Sequence, residues 1–463
     1  MYICRPKLEY FMQKDLTIFN QIVKHLEQDE IDNPVIQPIP IEELYETIDI
    51  KLQDEPAEEE DFVATLEKLV LNTPRTATKM FFNQLFGGRN SRAVLGDLLA
   101  VVLNNSMYTY KVGGPQIGVE KEILRQVAKR VGYDIPTAEG TLAPGGSMTN
   151  LMGLIMARDK ADPQARFDGI SKKMVIYTSI ESHYSTPKNA AFTGIGRNNI
   201  RLVATDDQGR MDVADLERLI IEDIDKGLTP CMVNATAGTT VLGAFDPLRP
   251  IGEICKKYNI WFHVDGAYCG SVIFSDKYKK YIDGSELSDS FTVNAHKMLG
   301  TPLSCSIIVT KEKQYMYDSF SNDASYLYQT AEDDYNPGKI SLQCGRRNDA
   351  LKFWTLWKTI GSNGLRDMVD HQFELAQFGR DYVAANEDYT LYNSGDSIAI
   401  CFNYKDFDPK MLCNKMYEEG EVMVGFGKFR DQEFIRLVTV NAGNEKVDIE
   451  NFFKKLEAFA AKL

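Results

Sequence analysis

The chain has 463 residues, of which 44% are hydrophobic and 25% charged, and it carries a net charge of −14 at neutral pH. That is too long for one small domain, and a chain of this size buries enough apolar surface to need no disulfide staples. The composition excludes global disorder, and the acidic balance disfavours nonspecific binding to nucleic acid or to an anionic membrane. Eight cysteines are scattered without a C-x-x-C pair. They exclude a zinc ribbon of the usual spacing, leave no metal site to predict, and read as buried thiols in a reducing compartment. The first residues hold no apolar run fit for a signal peptide, and no stretch of eighteen apolar residues occurs. A cytoplasmic protein without a membrane span is therefore expected.

Residues 1–75 combine a helical stretch at 15–26, prolines at Pro34, Pro38 and Pro40, and an acidic run at 54–61. The acidic run reads as a solvated linker or a helix start. This segment cannot bury much apolar surface alone and is expected to pack on something larger, such as a second subunit. From residue 76 the pattern changes. Residues 149–158 read as a helix, and 173–179 and 200–205 as buried strands. Residues 213–226 form an amphipathic helix with Asp212 as N-cap and Val213, Leu216, Leu219, Ile220 and Ile224 on one stripe. A strand at 230–236, a helix at 251–258 and a strand at 260–264 follow. This alternation predicts an α/β domain over 76–345, with a mostly parallel sheet covered on both faces. Ligands in such sheets sit beyond the carboxyl ends of the strands. The remaining residues, 346–463, open with a long helical pattern through Trp354 and Trp357. Strands at 397–402 and 434–440 and a closing helix make a smaller α+β domain.

Four features sit where chemistry is expected. Lys297 follows a buried strand and is flanked by apolar residues. Desolvation there lowers the pKa of an amine and makes it a nucleophile able to form a Schiff base, although a lysine head also snorkels readily to solvent. Asp265 ends an apolar strand and is followed by Gly266 and Ala267, which leave room for a flat ring. A carboxylate there can pair with a protonated pyridine nitrogen, or serve as an N-cap or metal ligand. Pro144-Gly145-Gly146-Ser147 opens a helix whose free N–H groups suit a phosphate, and it matches neither the P-loop nor the dinucleotide fingerprint. His183 lies just after a strand, where an imidazole can stack on a cofactor ring or play a structural part. Each feature is weak alone. In this order, at strand ends, they match pyridoxal phosphate chemistry.

The chain resembles the pyridoxal phosphate-dependent amino acid decarboxylases of the glutamate and cysteine sulfinate type. The resemblance runs from about residue 76 to the end. Its motifs include residues 81–88, 144–150, 181–185, 234–247, 263–267, 294–298, 325–329 and 343–349. It implies the type I pyridoxal phosphate-dependent transferase fold, with a mostly parallel seven-stranded sheet between helices. It also implies a homodimer with active sites at the subunit interface and the amino-terminal segment wrapped around the partner. By resemblance, Lys297 is the cofactor lysine, Asp265 the pyridinium partner and His183 the stacking group, with Ala267 beneath the ring. Gly146, Ser147, Asn294 and His296 would surround the phosphate, and Thr236 would lie near the ring. Gln84 and Arg436 resemble the pair that contacts substrate, and a guanidinium offers a carboxylate two parallel hydrogen bonds.

The implied reaction is α-decarboxylation of an L-amino acid to its amine and CO2. The family's Cα proton donor is a tyrosine on a mobile loop, for which Tyr335 is the candidate, although the segment between Gln329 and Gln343 is shorter than the family pattern. Phe86 resembles the cysteine sulfinate decarboxylases, and a bulky ring there would shorten the cavity toward cysteine sulfinate, cysteate or aspartate, with glutamate also open. Aromatic or 2,4-diaminobutyrate decarboxylation, an aminotransferase, and a non-catalytic pyridoxal phosphate-binding scaffold are the alternatives.

Overall fold

A computed structural model describes residues 8–36, 39–322, 333–393 and 395–463. The motif at 325–329, Cys4 and Pro38 lie outside the described residues. Among the described residues eleven strands form two sheets. β1 (Glu139–Ala143), β2 (Met174–Ser179), β3 (Ile200–Val203), β4 (Thr229–Thr236), β5 (Trp261–Gly266), β6 (Ser290–Asn294) and β7 (Ser306–Thr310) belong to the larger one. Its spatial order is β1-β7-β6-β5-β4-β2-β3. The block from β3 to β6 is parallel, and β7 runs antiparallel to both β6 and β1. β2, β5, β6 and β7 are buried at every position, as expected when helices cover both faces.

The helices of the larger sheet follow the sequence pattern closely. In the Val213–Asp225 helix the Asp212 side chain accepts from the N–H groups of Ala214 and Asp215, so the predicted cap is present. The predicted stripe differs at one position, since Ile224 is exposed and Asp223 is buried instead. Turning inward from Leu216 and Ile220, the helix brings position 223 to the sheet. Its carboxylate is accommodated because it accepts from Tyr177 Oη at 3.0 Å and Arg201 Nε at 2.8 Å.

The second sheet contains β8 (Tyr389–Leu391), β9 (Ala399–Tyr404), β10 (Gly425–Phe429) and β11 (Gln432–Val438) in the order β10-β11-β9-β8. All its pairings are antiparallel. The helices Pro409–Glu418 and Lys446–Ala460 share a core with it around Leu412, Phe402, Phe452 and Leu456. The long Ala350–Ala384 helix is broken at Gly361 (φ 68°). The acidic run near residue 54 turns out to begin the helix Glu59–Leu71, whose first turn holds Glu59, Glu60 and Asp61, where negative charge meets the positive helix end. This helix packs on Leu8–Asp32, and Arg89 joins that helix through Glu30 at 2.6 Å. Among the described residues no helix is long and apolar enough to cross a membrane, and no group of three His, Cys, Asp or Glu could hold a metal ion.

Candidate active site

The carboxyl ends of neighbouring parallel strands converge on one cavity. Thr236 ends β4, Asp265 lies near the end of β5, Asn294 ends β6, and the loop after β2 carries His183. Opposite them the Gly146–Ala161 helix begins. Gly146, Ser147, Asn150, His183, Tyr184, Thr236, Asp265, Ala267, Tyr268, Asn294, His296 and Lys297 all line this cavity. Nine of the residues singled out from sequence therefore meet in one place.

Lys297 is half-buried, and its pKa is lowered by desolvation against the opposing attraction of Asp265 and Cys269. A depressed pKa favours the neutral, nucleophilic amine. Burial likewise lowers the pKa of His183, with Asp265 opposing. Asp265 is buried, and its two oxygens accept from Asn150 Nδ2 at 2.6 Å and from the Ala267 N–H at 3.0 Å. His296 accepts from the Cys305 N–H at 2.8 Å through Nδ1, so its proton sits on Nε2. Desolvation, reinforced by Lys297, pushes its pKa down to about 4. His296 is thus a neutral donor.

The residues present fit pyridoxal phosphate. Thr236 Oγ1, Tyr268 Oη and Asn294 Oδ1 are buried in this lining without a hydrogen-bond partner among the described residues, as the walls of a polar ligand site would be. The first-turn N–H groups of the Gly146–Ala161 helix have no carbonyl before them in the helix and suit an anion. Gly145 makes the turn into that helix with φ +108°. A Cβ at Gly146 would lie 2.9 Å from Asn294 Nδ2 and 3.1 Å from the Ala267 Cβ, so only glycine keeps this cradle open.

Other predicted residues stand apart. Gln84 is exposed, and Phe86 lines an adjoining cavity with Leu98, Val101 and Leu303 that meets the first at His296. Arg436, on β11, donates to the carbonyls of Thr240 at 2.7 Å and Asn83 at 3.0 Å, while its Nε is buried and unbonded. It clasps the rim, since Thr240 itself lines the Lys297 cavity. Tyr335 packs edge-on against Tyr110, with ring centroids 5.7 Å apart, and does not reach the Lys297 cavity of its own chain. Three further residues receive no role from the sequence. Asn150 touches Asp265 and His263, Tyr268 forms a wall, and Asp246 ties the Thr236 and Met211 N–H groups at 2.7 Å each. Asn150 closes the 144–150 motif and Tyr268 directly follows the 263–267 motif, which is the signal that could have found them.

Residues 41–405 match the model of the pyridoxal-dependent decarboxylase conserved domain. The chain is 32% identical to mouse cysteine sulfinic acid decarboxylase over 448 residues, covering 91% of this chain and 90% of the relative. It is 31% identical to mouse acidic amino acid decarboxylase GADL1, covering 94% and 83%. It is 33% identical to the L-aspartate decarboxylase dtxS4 of Metarhizium robertsii, covering 92% and 89%. A crystal structure of mouse CSAD in apo form superposes with a TM-score of 0.89 at 30% identity, covering 95% of this chain and 98% of that one. With its fold, its cavity and these relatives in agreement, the chain belongs to the pyridoxal-dependent decarboxylase family and is a carboxy-lyase whose cofactor is pyridoxal phosphate.

Proposed function

We propose that this enzyme removes the α-carboxylate of a small acidic L-amino acid (cysteine sulfinate, cysteate, aspartate or glutamate) to give the amine and CO2, with Lys297 and Asp265 at the centre of the site. The observation that carries the proposal is that Lys297, its pKa depressed, shares one cavity with Asp265 and the glycine-lined helix start. The substrate class is supported by relatives that act on cysteine sulfinate, acidic amino acids and aspartate.

When bound, pyridoxal phosphate supplies a ring that accepts the electron pair of the breaking Cα–carboxylate bond. The protein's part is binding, orientation and proton control. Gly146, Ser147, Asn294 and neutral His296 would hold the phosphate. Asp265, its carboxylate fixed by Asn150 and Ala267, would hold a proton at the ring nitrogen. Lys297 would carry the cofactor and yield it to the incoming amine, and His183 would cover the ring. Arg436 would receive a substrate carboxylate at the rim, beside Gln84. Phe86 would limit substrate length from the adjoining cavity, which opens at His296.

The functional unit is a homodimer with sites at the interface. Leu95, Leu98, Leu99, Val101, Val102 and Leu103 present an apolar surface on the Ser91–Leu103 helix, each 40–60% exposed. Leu98 and Val101 of that surface line the adjoining cavity, so it runs up to the site. Tyr335 would then protonate Cα in the partner's site rather than its own. The free, mostly buried cysteines support a reducing, cytoplasmic setting.

The test is CO2 release from cysteine sulfinate, cysteate, aspartate, glutamate, 2,4-diaminobutyrate and tyrosine by the wild type and by Lys297→Ala. Turnover of one or more acidic substrates by the wild type alone is expected, together with loss in the variant of the visible absorption of bound cofactor. Preference for tyrosine or 2,4-diaminobutyrate would overturn the substrate class. Full activity of Lys297→Ala would overturn the site.

A further inference from the structure

We propose that Asn150, His263, Ser290 and Trp261 are positioning residues that form a one-way hydrogen-bond relay, holding the Asp265 carboxylate as an acceptor toward the cofactor ring. The inference rests on the reading of Asp265 as the ring partner and extends it to four residues behind the site.

The relay follows from strand geometry. Side chains alternate across a strand, so Trp261, His263 and Asp265 project from the same face of β5. Ser290 is the register partner of His263 on β6. Asn150 reaches down from the first turns of the Gly146–Ala161 helix. All five side chains are buried. Trp261 Nε1 lies 3.0 Å from Ser290 Oγ, and Ser290 Oγ lies 2.7 Å from His263 Nδ1. His263 Nε2 lies 3.1 Å from Asn150 Oδ1, and Asn150 Nδ2 lies 2.6 Å from Asp265 Oδ2.

The two ends fix three of the four bonds. An indole N–H only donates, and a carboxylate only accepts. Trp261 therefore donates to Ser290, Asn150 Nδ2 donates to Asp265, and His263 Nε2 donates to the Asn150 oxygen. The remaining bond runs from the Ser290 hydroxyl to His263 Nδ1, since in the opposite sense Ser290 would accept from both Trp261 and His263. The chosen sense requires a neutral imidazole, and burial does push the pKa of His263 down to about 4. Asp265 is the charged group that acts on His263, and Lys297 and His183 face Asp265 from the loops after β6 and β2. The helix makes room for the ring at Gly153, where a Cβ would lie 2.8 Å from His263 Nδ1. With Oδ2 held by Asn150 and Oδ1 by the Ala267 N–H, Asp265 keeps a fixed orientation and has lone pairs left for a ring N–H.

The test is the pH titration of the ring nitrogen in holoenzyme loaded with ¹⁵N-labelled pyridoxal phosphate. Asn150→Leu and His263→Leu are expected to lose the ring proton about one pH unit lower than the wild type, a tenfold change, the scale of a lost hydrogen bond to a charged group. His263→Gln, whose amide still reaches Asn150, should restore most of the shift. Ser290→Ala should fall between. Folding is followed by circular dichroism. If His263→Leu does not fold, Ser290→Ala decides, and a wild-type titration in that variant overturns the relay. A shift in Asp265→Ala with none in the relay variants overturns the relay alone. No shift in Asp265→Ala overturns both the relay and the assignment of Asp265.

Discussion

Two buried imidazoles, His263 and His296, tie the site to acid stability. Both titrate near pH 4 in the folded protein because burial disfavours their charged form. Unfolding returns each ring to water, where it binds a proton near pH 6.5. Below that pH the unfolded chain holds more protons, so folded-state stability is full above about pH 6.5 and falls as pH drops toward 4, by up to about 3 kcal/mol per ring. The free energy of urea unfolding should therefore fall between pH 7 and pH 5 by about 2 kcal/mol less in His296→Gln than in the wild type. Equal losses would mean that His296 takes up its proton as readily in the folded protein as in the unfolded chain. Charged and nucleophilic residues were legible at this scale, because a lysine or aspartate at an apolar strand end demands an explanation. Asn150 was not, since an uncharged amide takes its meaning from Asp265 and His263, which lie more than a hundred residues away.

Among the elements, the turn into the Gly146–Ala161 helix is the proposed seat of the cofactor phosphate. Its close approach to Asn294 and Ala267 leaves no space for a side chain. Gly146→Val should weaken pyridoxal phosphate binding at least about tenfold, since one lost charge-assisted contact costs that much. The apo-protein should lose only about 1–3 kcal/mol of stability, the ordinary cost of overpacking, and remain folded. Cofactor titration by absorbance, with urea unfolding of the apo-protein, checks both. Unchanged affinity would remove the helix start from the phosphate site. The helix start was visible as a glycine turn before an apolar period, and the central strands as continuous apolar runs. β1 and β7 were less visible. Each has five residues, and an apolar run that short has no period to separate strand from helix. β10 hides for another reason, since Gly425 and Gly427 break the alternation that would mark it.

At the scale of the whole molecule, the Ser91–Leu103 helix is inside out for a monomer. Its buried positions are the small ones, Ala93, Gly96 and Ala100, which pack against the Ala350–Ala384 helix so tightly that a Cβ at Gly96 would lie 2.7 Å from the Leu351 carbonyl oxygen. Its large positions, Leu95, Leu98, Leu99 and Val102, face away from the chain. Sequence alone could not tell which side faces the chain's own core, because the helix is apolar almost all round and both sides read as core. A contiguous apolar surface of this kind marks an association site. It is continuous with Phe86 and His296 through the adjoining cavity, so association through it would reach the proposed site. The double substitution Leu98→Glu with Val102→Glu places like charges on the outward face and leaves the small, inward face untouched. It should convert a dimer into a monomer in sedimentation velocity, keep the circular dichroism spectrum, and lower kcat/KM by at least about tenfold as the shared site comes apart. If the wild type sediments as a fully active monomer at micromolar concentration, the outward leucines need another explanation and Tyr335 loses its route to a second site. If the variant is monomeric yet fully active, each chain holds a complete site.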